Sequence, residues 1–481
     1  MSGIPDLMKI GSIPSNLNMS VETGILDPVV QSNNFIRFNM KRAGFLHSNS
    51  KLVLSLKKTD VDAGWDNKNE HWMLPPTIGI GSVIERVRLL SGNTVIQEIQ
   101  DWGHLHAYRS QFISNENNKE REQYTTGRIM SMEYDYDDAV ATRSDTKATG
   151  VGVGNGLEYN GFTDAGVYQA DPDDWNKERH PDQYLENEPV WQVSLQDLCP
   201  FLKQTQLPLF MFEEQLFLEI SFNENQSRIV GNTAAVTAEA TNEYTINQVE
   251  SKLIIDYITY PNETMEAWAE ANKNLSFQYT DYELSKYTLA GTREVLDAAF
   301  IRNQGGAGKV VNKLILQLNR SANDSTTADG VGAATMLGAY SMVHPQQANA
   351  TSQKKVVTNI RYNDEYLYPI DVGNDAYHFN NVLQSEGQPP MVSRQMYSGN
   401  GSTLSGRKWE GRVINNNVSG ITGNIFSQSL KLNKNPRINQ KGIELYQQYT
   451  NLELTPHTLR CWAEVMKVAQ LVDGKLRSQY L

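Results

Sequence analysis

Along most of this chain apolar and polar residues alternate with a period of two, in short runs broken by long polar stretches. The clearest run is Leu216 to Phe222. Leu216, Leu218, Ile220 and Phe222 share one face, and Phe217, Glu219 and Ser221 the other. It ends the stretch Ser194 to Phe222, which opens with a short helix-like segment, Leu195 to Lys203, and a buried-looking run, Leu207 to Phe212. Beyond it, Asn223 to Thr245 is polar, Ala/Thr-rich and poor in large apolar residues. Ser194 to Phe222 therefore reads as the closing edge of one β-domain, and the polar tract as the passage to a second.

Before that stretch, strands are expected from Asn34, at Lys51 to Lys57, and at Val83 to Leu90 and Thr94 to Ile99. The last two flank the turn Ser91-Gly92-Asn93. Trp102, Leu105, Arg109, Phe112 and Ile113 fall near helical spacing, with Asp101 placed to cap the start. After Thr245 come strand-like runs at Gln248 to Tyr260, Leu275 to Leu289, Lys309 to Leu318, Thr358 to Tyr366, Ile421 to Leu432 and Ile443 to Asn451. Glu263 to Lys273 looks helical. Gln123 to Asn187 and Ser321 to Gln353 lack periodicity and read as excursions from the cores. Residues 1 to 30 carry scattered Ile and Leu and read as an arm, either docked on a neighbour or mobile. Many short strands with few helices favour jelly rolls or sandwiches over α/β units.

Length and charge narrow this further. The 481 residues exceed what one core usually holds. The formal charge of −12 argues against a broad grip on nucleic-acid backbones. Two cysteines, Cys199 and Cys461, cannot make a disulfide framework or a four-thiolate zinc site. The N-terminus shows no signal-peptide h-region, and no apolar run is long enough to span a membrane as a helix.

No motif for chemistry survives inspection. Gly305-Gly306-Ala307-Gly308-Lys309 suggests a phosphate loop, but Asn303 stands where the first Gly belongs and Val310 where Ser or Thr should follow. His104 and His106 lie about 200° apart on a helix and cannot share a metal on one face. The remaining histidines are scattered. Cys199 and Cys461 sit in apolar contexts and read as structural thiols. The acidic clusters Glu133 to Asp138 and Asp171 to Asp174 lack calcium-loop spacing. Arg86 with Arg88, Lys354-Lys355 and Lys431 to Arg437 are thin basic patches of ordinary surface type. No catalytic, cofactor-binding or metal-ligating residue is assigned, and no cofactor is expected.

Three segments carry a family resemblance. Leu207-Pro208-Leu209-Phe210 with Glu213 to Phe222 resembles a strand that closes a first jelly roll. Leu74-Pro75-Pro76, then Ile84 to Gly92 and the helix around Trp102, resembles a hairpin-then-helix. Ala463 to Gly474 resembles a last strand with its glycine turn. Together they resemble the double jelly-roll major capsid proteins of icosahedral double-stranded DNA viruses, in the lineage of nucleocytoplasmic large DNA viruses, virophages and Polinton-like viruses. The resemblance covers most of the chain in layout, but not Gln123 to Asn187 or Ser321 to Gln353.

It implies an all-β chain of two tandem eight-stranded jelly rolls with long insertions and few short helices. The expected division is an arm at 1–30, a first roll at 31–230 and a second at 231–481. The implied function is a structural, non-enzymatic one, as a major capsid protein forming homotrimers with a pseudo-hexagonal outline in the virion shell. Its partners would be itself, neighbouring trimers and minor capsid or penton proteins, with an inner membrane or genome beneath and no small-molecule substrate. The alternative is a carbohydrate-binding or carbohydrate-processing β-sandwich protein, since such folds host both. At Leu459 to Val472 two signals conflict. Trp462, Val465, Met466, Ala469 and Val472 form a helical stripe, while the resemblance makes the segment a strand ending in the Asp473-Gly474 turn. The strand is the expectation adopted, with both its faces covered.

Overall fold

The structure is a computed structural model. It describes residues 19–32, 34–58, 72–73, 78–113, 125–126, 190–203, 207–223, 231–232, 244–289, 295–301, 305–320, 355–368, 375–387, 428–432, 434–450 and 457–481. The two expected excursions lie almost wholly outside these residues, as do both acidic clusters and most of the N-terminal arm.

In chain order the first half holds β1 (Ser20–Leu26), β2 (Val30–Ser32), β3 (Phe35–Asn39), β4 (Phe45–Leu46), β5 (Lys51–Lys58), β6 (Trp72–Met73), β7 (Ile84–Ser91), β8 (Thr94–Gln100), α1 (Trp102–Ile113), β9 (Val190–Ser194), α2 (Leu195–Leu198), β10 (Leu216–Phe222), β11 (Gly231–Asn232) and β12 (Tyr244–Thr259). After α3 (Asn262–Ala271) come β13 (Asn274–Leu289), β14 (Val295–Ile301), β15 (Val311–Arg320), β16 (Lys355–Tyr362), β17 (Glu365–Tyr366), α4 (Asp375–Glu386), β18 (Gln428–Lys431), β19 (Glu444–Thr450), β20 (His457–Val472) and β21 (Lys475–Tyr480).

Pairing sorts these strands into two copies of one topology. One sheet runs β1-β12-β5-β9 and its partner sheet β3-β10-β7-β8, with β2 added at the edge. Setting aside the short β2, β4, β6 and β11, the orders are first-eighth-third-sixth and second-seventh-fourth-fifth. The second half repeats both, as β13-β20-β15-β18 and β14-β19-β16-β17. Two antiparallel four-stranded sheets in these orders make an eight-stranded jelly roll. The chain holds two.

This pairing corrects three expectations. Residues 244–259 belong to the first roll, not the second: β12 is antiparallel to β1 from Leu253 to Thr259 and to β5 from Tyr244 to Ile254. Leu253, Ile255 and Tyr257 enter the first core. A division at 230/231 therefore does not follow the sheets, because the polar tract before Thr245 lies between two strands of one roll. For the same reason Leu216 to Phe222 is not a closing edge: β10 lies between β3 and β7. Finally, the arm expected over 1–30 contains a strand, β1. Its missing signal has a plain cause. Along β1 only Leu26 is buried, so no apolar stripe marks its inner face.

Other readings hold. The hairpin β7–β8 turns at Gly92, where φ is +55°, and leads into α1. Residues 457–472 form a strand, with Asp473 (φ +49°) and Gly474 (φ +77°) making the two-residue turn to β21 that positive φ at both positions allows. β20 pairs with β13 along all sixteen of its residues on one side. On the other side it pairs with β15 and then β21.

The second core gathers Val311, Leu314, Leu316, Leu430, Leu445, Cys461 and Val465 between the sheets of the second roll. The first core does not stop at the first roll. It continues through Tyr279, Tyr282, Ile315, Trp462 and Leu471 of the second.

Candidate assembly surfaces and the seam between the rolls

That continuous core is a seam, and its geometry follows from three pieces of the first roll. β8 runs across the free edge of β13. There the Gln97 amide donates to the Thr280 carbonyl at 2.8 Å and accepts from the Phe201 N–H at 3.0 Å. On one side the ring of Phe201 meets Tyr279 edge-on, with centroids 5.1 Å apart, and the Tyr279 hydroxyl donates to the Ile96 carbonyl at 2.7 Å. On the other side α1 lies over β20 and β15. The Gln317 amide donates to the His104 carbonyl at 2.9 Å, and fully buried Trp462 approaches Gln100. The β20–β21 turn adds a fourth contact, the Glu213 N–H donating to the Gly474 carbonyl at 2.7 Å.

Charges inside the seam are paired. Asp101, at the start of α1, does not spend its carboxylate on the capping role expected of it. One oxygen takes Arg460 Nε at 2.9 Å and Lys286 Nζ at 2.7 Å. Burial alone would raise this carboxyl, but Arg460, His104 and Lys286 outweigh it and hold the group well below the usual carboxylate range. Deeper in, Lys313 lies between Glu386, at 2.5 Å, and Glu464, at 3.5 Å. Burial would lower this ammonium, yet the two carboxylates keep it above the ordinary lysine value. The hydroxyls of Tyr108 and Tyr282 donate to the same two carboxylates, at 2.5 and 3.1 Å. Of these, Asp101 pairs across from the first roll to Arg460 and Lys286 of the second, so a shift of one roll against the other leaves a buried charge unpaired.

The residues that chemistry would have needed are occupied by structure. Gly305, Gly306 and Gly308 all have positive φ, and the Gly306 N–H donates to the Glu283 carboxylate at 2.9 Å. Lys309 pairs with that same carboxylate and lies 3.8 Å over the ring of Tyr480. The loop thus cradles an anion that the chain itself supplies. His104 and His106 are buried on α1, with His106 stacked on Trp102 at 4.3 Å. Cys199 and Cys461 are fully buried, which pushes both thiols well up and leaves little thiolate at neutral pH. Among the described residues no group of three or more His, Cys, Asp or Glu is placed to hold a metal ion. No helix among them is long and apolar enough to cross a membrane.

The basic patches resolve into pairs. Arg88 bonds Glu219 at 3.2 Å and approaches Glu98 at 3.6 Å, Arg86 approaches Glu98 at 3.7 Å, and Arg37 approaches Glu219 at 3.6 Å. Cross-strand partners alternate in sign over the outer face of the sheet β3-β10-β7-β8, so each of these arginines has a carboxylate beside it. Arg437 donates to the Gly308 carbonyl at 3.2 Å, and Lys431 is exposed. The side chains of Lys354 and Lys355 lie outside the described residues.

Sequence reasoning named no seam residue as functional. Signals existed for one element it missed: Asp375 opens α4 and Gly387, at φ +76°, follows its end, the usual acidic start and glycine stop of a helix.

No protein-family profile matches the chain, and no curated protein sequence does. Solved structures do match, over the whole length. A chain of the Sputnik virophage particle superposes with a TM-score of 0.57 at 11% identity, covering 100% of this chain and 93% of its own. A chain of the PBCV-1 virus capsid gives 0.55 at 12%, covering 99% and 100%. PBCV-1 VP54, fitted into a reconstruction of Sputnik, gives 0.54 at 12%, covering 99% and 100%. The chain therefore has the double jelly-roll fold of these chains.

Proposed function

We propose that this chain is a structural virion protein, a major capsid protein whose copies associate as trimers of pseudo-hexagonal outline and tile an icosahedral shell. One observation carries the reading: two rolls of identical topology are locked side by side by a buried, charge-paired seam. A rigid double unit of this kind is suited to serve as a shell tile. The full-length likeness to capsid chains of PBCV-1 and Sputnik supports the same reading.

In this reading the chain works by shape and interface burial and not by catalysis. Its partners are further copies of itself, with minor capsid or penton proteins, and its place is the virion. The working domains are taken as 20–259 and 274–472, with α3 as the passage between them.

The test is the solution mass of the purified full chain by sedimentation velocity, followed by negative-stain imaging. A stable trimer with a six-cornered outline is expected. A monomer that binds oligosaccharides would overturn the proposal in favour of a carbohydrate-binding sandwich.

A further inference from the structure

The core of the second roll is not apolar throughout. Thr358 on β16, Gln428 on β18 and Gln447 on β19 are 0%, 3% and 1% exposed, and their side chains meet between the two sheets. Thr358 and Gln447 are register partners in one sheet, while Gln428 stands opposite Leu316 in the other. The fold does not demand this cluster. In the first roll the corresponding strands β7, β9 and β10 fill the core with Val87 and Leu89, Trp191 and Val193, and Leu218 and Ile220.

The hydrogen bonds can be counted group by group. Gln447 Nε2 donates to Gln428 Oε1 at 2.7 Å and to Thr358 Oγ1 at 3.4 Å, and the Thr358 hydroxyl donates to Gln428 Oε1 at 3.1 Å. These bonds occupy both N–H groups of the Gln447 amide and both lone pairs of Gln428 Oε1. Gln428 Nε2 and Gln447 Oε1 are buried too, and neither has a hydrogen-bond partner among the described residues. Turning over one amide would set two nitrogens or two oxygens 2.7 Å apart. Turning over both exchanges the roles and again leaves one donor group and one acceptor open. The shortfall belongs to the cluster and not to the choice of amide orientation. Buried amide ends are ordinarily bonded, and leaving them bare is costly.

We propose that this cluster binds one ordered water molecule, which accepts from the free amide nitrogen of one glutamine and donates to the free carbonyl oxygen of the other. The chemistry selects the guest. All three side chains are neutral, so an ion finds nothing here to offset its lost hydration. The open ends ask for one acceptor and one donor, which water supplies in a single small molecule, and the spare lone pair of the Thr358 hydroxyl offers a third contact. The bridge ties β18 to β16 and β19 across the core, so the two sheets of the second roll are joined there by hydrogen bonds as well as by packing. Such a site serves a single chain and an assembled shell alike, so it stands or falls apart from the capsid reading.

The test is an experimental structure of the purified full chain at a resolution that shows ordered waters, for the wild type and for Gln447→Leu and Gln428→Met. In the wild type a single density peak is expected within about 2.7–3.2 Å of both free amide ends. The peak should vanish in each variant that folds, since either change removes one of its two anchors. If neither variant folds, the wild-type map alone decides. A wild-type cluster without the peak, or with the two amides turned to bond each other or the backbone, overturns the inference. So does a peak that stays in place in a folded variant, because other groups then hold it.

Discussion

Asp101→Asn should loosen the seam more than any single loss of a surface charge. Asp101 is nearly buried, and its main partner Arg460 has 2% of its side chain exposed. At their 2.9 Å separation two unit charges attract by about 6 kcal/mol at an effective dielectric of about 20. Desolvation cancels much of that in the intact pair. It does not cancel when one partner is removed, and a buried guanidinium left facing an amide costs roughly 3–5 kcal/mol. Lys286, half exposed, adds little on its own.

The perturbation is read by urea unfolding followed through the buried Trp102 and Trp462. The double variant Asp101→Asn/Arg460→Met should recover most of the loss, because it removes the stranded charge. About 1 kcal/mol stays lost at Asn319, which gives up its bond from Arg460. The pH dependence has a definite sign. A carboxyl depressed in the folded state gives stability that is complete above its unfolded value, about 3.9, and drains away as pH falls toward the folded value. The gap between wild type and Asp101→Asn should therefore hold from pH 7 to about pH 4 and narrow below that. If Asp101→Asn shifts the urea midpoint no more than Asp364→Asn, which breaks an exposed pair with Lys441, the seam is not held by its charges.

Further outcomes are expected elsewhere. Val465→Asp places a carboxylate in the second core, fully buried and on a central strand, at a cost of roughly 4 kcal/mol or more; soluble, wild-type-like yields would sink the placement of β20. Gly474→Ala should lower stability by about 1–2 kcal/mol, since φ is +77° and the new methyl would lie 3.0 Å from the Glu213 side chain; a melting temperature equal to wild type would contradict this. Cys199 and Cys461 should resist a thiol-reactive dye in the native protein and react once urea unfolds it. Prompt labelling without urea would mean the thiols are reachable.

How much of this was legible beforehand depends on where each residue's neighbours come from. Where a strand has one apolar face on its own core and one mostly polar, half-buried face, as Leu216 to Phe222 does, period two shows plainly in the sequence. Strand β1 fails because its apolar residues face outward and its inward ones are Ser20, Glu22 and Gly24. The division at 230/231 fails because the polar insertion between β10 and β12 falls inside a roll, while the true passage between rolls is the short α3. The seam was invisible for a related reason. Gln97 and Asp101 are ordinary polar residues until the second roll is set against the first, and their partners lie about a hundred residues or more away.

Residues 457–472 carry that reasoning to its end. On β20 the odd positions Leu459, Cys461, Ala463 and Val465 face the second core. The even positions Arg460, Trp462 and Glu464 face the seam, where burial is as complete but the partners are polar as well as apolar. Both faces being buried, the alternation that marks a half-buried strand is lost. What remains, Trp462, Val465, Met466 and Ala469, falls by chance at helical spacing. A helix would bury one stripe of this segment. A strand buries two faces, one for each roll, and so places a single element in both cores. Such an element resists sequence reading because its residues answer to two environments at once, and for the same reason it can hold two rolls as one rigid body.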